Sequence, residues 1–175
     1  MSYPRDVLIT ARAVELLMLD VDGVMTDGRL YYSSDGVESK AFHTQDGLAI
    51  KMLLSVGIPV AIVTGRISKL VENRATELGI PHIYQGIADK SEVIQPLCAA
   101  TGLAAEKFAH VGDDISDLAL FDKVGIRFSV PGGHPAVLER ADYITTSAPG
   151  FGAVREICHL IMLAQDRWLT ALDSR

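Results

Sequence analysis

Three short apolar runs in this chain each stop abruptly on polar residues. Leu16-Leu17-Met18-Leu19 stops at Asp20, Val60-Ala61-Ile62-Val63 at Thr64, and Phe108-Ala109-His110-Val111 at Gly112-Asp113-Asp114. Runs without apolar–polar alternation suit strands covered on both faces, which is the situation of a parallel sheet between helices. Helical periodicity separates the runs. Ile67, Leu70, Val71, Ala75 and Leu78 share one helix face, closed by Gly79 and Pro81. The pattern predicts an α/β fold with a doubly wound, mostly parallel sheet. At 175 residues, with neither a repeat nor a break in composition, the chain reads as one domain spanning residues 1–175.

Other elements follow from local signals. Two β-rich stretches, residues 29–32 and 37–42, flank Ser33-Ser34-Asp35-Gly36 and predict a hairpin within a flap over about residues 28–43. Helices are expected over residues 48–56, 90–101 and 115–121, and further strands at residues 82–84, 124–128 and 143–144. Val154, Ile157, Ile161, Ala164 and Trp168 form one apolar stripe, predicting a last helix over about residues 153–169.

Composition narrows the possible partners. Sixteen Lys+Arg against 22 Asp+Glu give a net charge of −6, so no bulk basic field exists to hold nucleic acid or an anionic membrane. No apolar run approaches the roughly 20 residues of a membrane span. The opening MSYPRDVLITARA has no apolar signal core, so a cytoplasmic protein is expected. Cys98 and Cys158 lie in apolar stretches and read as reduced core thiols.

In open α/β sheets, ligands bind beyond the carboxyl ends of the strands. A single Asp there is often only a turn or cap residue. Three polar strand ends on one edge are a different matter. Asp20, Asp22 and Asp113 would repel one another unless a cation sat among them, and all-oxygen ligation suits Mg²⁺ better than Zn²⁺. Thr64 offers hydrogen bonds to an anion, Gly65 a close backbone approach, and Lys90 a compensating positive charge. Carboxylates, a hard cation, Lys and Thr make a phosphoryl-transfer inventory. Asp is an established type of nucleophile for forming an aspartyl-phosphate.

These residues resemble the four motifs of the haloacid dehalogenase superfamily of phosphatases, in order, from Leu16 to Asp117. The resemblance implies Asp20 as nucleophile and Asp22 as general acid/base. It makes Thr64 the second motif and Lys90 the third. It implies a Mg²⁺ site formed by Asp20, the backbone carbonyl of Asp22 and Asp113, with Asp114 and Asp117 positioning metal waters or Lys90. Forty-three residues separate Asp20 from Thr64, and 22 separate Lys90 from Asp113. Both stretches are filled by predicted elements, which leaves no room for a cap domain, so a neighbouring subunit is the simplest means of excluding solvent.

Within the superfamily the chain resembles the capless 3-deoxy-D-manno-octulosonate 8-phosphate phosphatases over nearly its whole length beyond the first dozen residues. The segments that carry this include residues 39–47, 63–66, 70–74, 84–86 and 152–156. The resemblance implies a homotetramer with its site completed by a neighbour. It also implies a substrate surface of His43, Thr44, Gln45, Asp46, Gly47, Lys51, Gly65, Arg66, Arg74 and Lys90, together with Asp22. Basic side chains suit a sugar acid that carries both phosphate and carboxylate. The chain departs from the family at Gln45, where Arg is common, and at Pro149-Gly150-Phe151-Gly152, where the family has an Arg-containing turn.

Other readings of these residues remain open. Lys51, Arg66 and Arg74 also fit solvated helix charges, with Arg66 and Arg74 about 2.2 turns apart. Asp46-Gly47 also fits a helix-start turn. His82, His110, His134 and His159 lack metal-ligand spacing and read as core or surface. Three alternatives to the eight-carbon substrate reading remain: a nine-carbon sugar-acid phosphatase, a phospho-acceptor module and a non-catalytic oligomerisation module.

Overall fold

The computed structural model describes residues 3–173. Six parallel strands form the sheet: β1 (Leu16–Leu19), β4 (Val60–Thr64), β5 (His82–Gln85), β6 (Phe108–Val111), β7 (Ile126–Ser129) and β8 (Tyr143–Ile144). Their order is β5-β4-β1-β6-β7-β8. Leu17 pairs with Val60 on one side of β1 and Ala109 on the other, so the first strand is central. The separate two-stranded ribbon is β2 (Tyr31–Tyr32) and β3 (Glu38–Ser39).

The helices are α1 (Arg5–Ala11), α2 (Thr44–Ser55), α3 (Lys69–Leu78), α4 (Ile94–Thr101), α5 (Leu118–Phe121), α6 (Pro135–Leu138), α7 (Ala153–Ala164) and α8 (Trp168–Asp173). Strand alternation divides the core into two layers. Leu17, Leu19, Val60 and Ile62 pack with α1, α2, α3 and α7, while Leu16, Met18, Ala61, Val63 and Phe108 pack with α4. Among the described residues, no helix is long and apolar enough to cross a membrane.

Several boundaries differ from expectation. Helix α2 starts at Thr44, four residues before the expected position, because Gly47 belongs to its first turn rather than ending a loop. That glycine makes room for a neighbour, since a Cβ there would meet Arg74 Nη2 at 2.1 Å. The helix expected to open at Lys90 begins instead with a 3₁₀ turn over Lys90–Val93. The helix expected through residue 169 ends at Ala164, where Gln165 turns its Nε2 to the Ala11 and Val14 carbonyls and Asp166 takes a left-handed φ of 57°. Trp168 therefore opens a separate helix. The ribbon is shorter than predicted, with only Tyr31–Ser39 and Tyr32–Glu38 in register. Arg66 precedes α3 and shares no helix face with Arg74.

Candidate active site

The carboxyl ends of β1, β4 and β6 lie side by side, and the turns beyond them carry the polar groups. Asp20 leaves β1 with its N–H bonded to the Val111 carbonyl at 3.1 Å. The chain then folds tightly, Val21 O accepting from the N–H groups of Val24, Met25 and Thr26. Beyond β6, Asp117 closes a capping box with Asp114. Gly112 permits it, because a Cβ at that position would stand 2.3 Å from Asp117 Cγ. Lys90 reaches in from its 3₁₀ turn, whose N-terminus is capped by Asp89 accepting from the Ser91 N–H.

Lys90 Nζ lies 2.9 Å from Asp20 Oδ1 and 2.7 Å from Asp117 Oδ1, with all three residues buried. Asp117 is fully engaged. His110 Nε2 lies 2.8 Å from its Oδ1, and its Oδ2 accepts the N–H groups of Asp113 at 3.1 Å and Asp114 at 3.2 Å. Burial works to raise the Asp117 carboxyl, but His110 and Lys90 outweigh it and hold it below the usual range. Burial lowers the Lys90 ammonium, yet Asp20 and Asp117 keep it above its usual value.

Asp113 lacks such support. Burial first, then Asp20 and Asp117, push its carboxyl up to about 7, and its buried Oδ1 has no partner among the described residues. Burial and Asp117 also raise the Asp20 carboxyl, against the pull of Lys90. One oxygen each of Asp20, Asp113 and Asp117 lies within 4.8 Å of the others. A cation among them would relieve the repulsion and use the orphaned Asp113 oxygen. Because Asp117 already accepts four hydrogen bonds, the direct ligands in this group would be Asp20 and Asp113. The residues thus fit a hard divalent cation. Gly23 keeps the space open: its φ is +97°, and a Cβ there would sit 2.0 Å from Asp113 Oδ2.

The flap covers the other side. Lys40 pairs with Asp22 Oδ1 and lies 3.7 Å from Glu38 Oε1. Arg66 Nη2 donates to Glu38 Oε1 at 2.6 Å and to Tyr32 Oη at 3.0 Å, while its Nε stands 3.9 Å from Asp22 Oδ2. Ser68 Oγ donates to Glu38 Oε2 at 3.1 Å. Sequence reasoning missed Lys40, Glu38 and His110 as members of the site. The charged pair two residues apart on the hairpin was the available signal for the first two. A lone polar residue in an apolar strand was the signal for the third.

The remaining predicted residues lie outside the Asp20–Lys90–Asp117 cluster. Thr64 is buried at the end of β4, with Gly65 exposed beyond it. Asp114 is exposed, and its side chain caps its own turn through the Ile115 N–H. His43 is half-buried at the N-cap of α2, its Nδ1 4.0 Å from Asp46 Oδ2. Thr44 and Lys51 are exposed. Arg74 lies against Gly47, over the Phe42 ring, and pairs with Glu77. The Asp46 carboxylate turns away toward α7, where its Oδ1 accepts the Arg155 N–H at 2.8 Å. Gln45 Oε1 accepts from Arg155 Nη1 at 2.6 Å. Gln45 and Phe151 share a cavity of about 280 Å³ with Arg155 and Trp168.

An open parallel sheet with an Asp–Lys–Asp cluster at its switch point defines a class, and comparison agrees. The haloacid dehalogenase-like hydrolase family matches residues 77–157. The 3-deoxy-D-manno-octulosonate 8-phosphate phosphatase of Escherichia coli strain K12 is 46% identical over 162 residues, 93% of this chain and 86% of that protein. The crystal structure of the corresponding phosphatase from Yersinia pestis superposes with a TM-score of 0.91 at 45% identity, covering 93% of this chain and 88% of that one. That from Moraxella catarrhalis, in complex with magnesium, phosphate and KDO, gives 0.94 at 41% identity, covering 98% and 99%. The chain belongs to the 3-deoxy-D-manno-octulosonate 8-phosphate phosphatase family of haloacid dehalogenase-like hydrolases.

Proposed function

We propose that this protein is a Mg²⁺-dependent phosphatase that hydrolyses 3-deoxy-D-manno-octulosonate 8-phosphate to the free sugar acid and phosphate, in lipopolysaccharide sugar biosynthesis. The carrying observation is Asp20, held by Lys90 at the end of the central strand, with one carboxylate oxygen within 4.8 Å of an oxygen of Asp113. In this reading the protein is cytoplasmic and works as a homotetramer whose neighbouring subunit completes each site. It binds neither nucleic acid nor membrane, in keeping with its net charge of −6.

The residues divide the work. An Asp20 carboxylate oxygen attacks phosphorus while Lys90 and Thr64 take up charge on the phosphoryl oxygens. The P–O bond to the sugar breaks, and Asp22 gives its proton to the departing oxygen. Water then attacks the phosphorus of the aspartyl-phosphate and yields a proton to Asp22, and Asp20 leaves as carboxylate. Mg²⁺, when held by Asp20, Asp113 and the Asp22 carbonyl, supplies charge neutralisation at the phosphoryl group. Asp117 positions Lys90, and Asp114 caps the turn that follows Asp113. The substrate's carboxylate and hydroxyls would meet Arg66, Arg74 and Lys51 and the segment from His43 to Gly47, with Gly65 giving backbone access.

The test is Mg²⁺-dependent phosphate release from a panel of sugar phosphates, with Asp20→Asn as the blank. A large kcat/KM advantage for the eight-carbon acid supports the reading. Preference for a nine-carbon acid moves the substrate and keeps the chemistry, and turnover of none of them overturns the reading. Sedimentation of the purified protein tests the tetramer.

A further inference from the structure

His110 is buried beside the reacting groups, yet the mechanism above gives it no part. It sits on β6, three residues before Asp113. Strand alternation puts it on the same face as Phe108, and its paired neighbour on β1 is Met18. The Phe121 ring meets it nearly edge-on at 5.9 Å. An apolar side chain would suit this setting.

The imidazole has one polar partner there. Its Nε2 lies 2.8 Å from Asp117 Oδ1, and its buried Nδ1 has none among the described residues. An ionised carboxylate only accepts, so Nε2 carries the hydrogen. Burying Nδ1 unpaired is unfavourable, and Phe or Leu would avoid that cost. The compensation is a charge-assisted bond to the same oxygen that receives Lys90. Asp117 Oδ2 meanwhile holds the backbone of Asp113 and Asp114. A shift of this one carboxylate would move both Lys90 and the Asp113 loop.

We infer that His110 is a positioning residue whose Nε2–H fixes Asp117, and through it both the Lys90 ammonium beside Asp20 and the loop that carries Asp113. The kinetic arm of the test rests on the phosphatase reading, but the other arms do not.

The full chain is compared with His110→Phe, which keeps a ring without the donor, and His110→Gln, which can return a donor near Nε2. With an aryl phosphate at saturating Mg²⁺, His110→Phe should lose about tenfold or more in kcat with KM changed less than about threefold, and His110→Gln should recover most of it. In ¹⁵N-labelled wild type, long-range ¹H–¹⁵N spectra should show the Nε2-protonated tautomer with an exchange-protected proton. Calorimetric titration with Mg²⁺ should show weaker binding to His110→Phe than to wild type. Wild-type kcat in a folded His110→Phe protein, or an Nδ1-protonated tautomer in the wild type, overturns the inference. If the wild type hydrolyses no phosphate, the phosphatase reading fails alone, and the tautomer and the Mg²⁺ affinity decide the role of His110.

Discussion

Lys40 of the flap pairs with Asp22, 18 residues away along the chain, with 2% of the lysine side chain exposed. A cation buried this well is costly unless it is paired. The flap therefore brings a charge to the proposed acid/base from within the same chain. Lys40→Met should lower kcat/KM for an aryl phosphate by about tenfold, and Lys40→Arg should retain more of it. Steady-state kinetics on the three proteins checks this. Equal activity in Lys40→Met would remove the lysine from the site.

Gly23 is the second point of sensitivity. Alanine there would strain a left-handed backbone and drive a methyl group into Asp113 Oδ2. The strain alone is worth about 1–3 kcal/mol. Gly23→Ala should lower the melting temperature by several degrees and weaken Mg²⁺ binding about tenfold or more. Differential scanning calorimetry and a Mg²⁺ titration read the two effects separately.

Asp113 makes cation binding depend on pH. Its carboxyl is raised to about 7 in the metal-free fold, above the ordinary carboxylate range. The protonated form thus favours the folded state at acid pH, and that contribution is lost as the pH rises through about 7. A divalent cation needs the ionised form. Binding near pH 6 should release about one proton, and the rise in melting temperature with Mg²⁺ should be larger near pH 8 than near pH 5. Calorimetry in buffers of different ionisation heats counts the protons. Zero release near pH 6 would sink the prediction.

Glu156 is a structural counterpart on α7. Its carboxylate accepts from Tyr143 Oη, from both N–H and Oγ1 of Thr146, and from both N–H and Oγ of Ser147. Burial would raise this carboxyl, but those bonds win and hold it below its ordinary value. Its stabilisation is therefore present above the ordinary carboxylate pKa and is lost as the pH falls through the lowered one. Glu156→Ala should cost about 2–3 kcal/mol in urea unfolding near neutral pH and flatten the acid limb of the stability curve.

The central strands were legible in sequence because buried parallel strands are continuous apolar runs, and Asp20, Thr64 and Asp113 stand where those runs break. Helix α1 left little trace, since RDVLITA is one short amphipathic piece. The start of α2 was misread because Gly47 looks like a turn until Arg74 is placed against it. The end of α7 was misread because the apolar stripe continues into Trp168, while the break depends on Gln165 reaching the loop after α1. Local pattern revealed neither the Lys40–Asp22 pair nor the His110–Asp117 bond, because both depend on side chains meeting in three dimensions.

The flap has two paired positions, and a hairpin that short does not hold its shape in water on its own. Most of its residues are exposed, and the side chains that tie it down include Tyr32, Glu38 and Lys40, which reach Arg66, Ser68 and Asp22. Its order is therefore borrowed from the charges beneath it. An anion that draws Arg66 away from Glu38 loosens one mooring, and a proton on Asp22 loosens another. Amide exchange along residues 31–39 should therefore quicken when an anion or a proton competes for those moorings, so the ribbon would report on occupancy of the site beneath it.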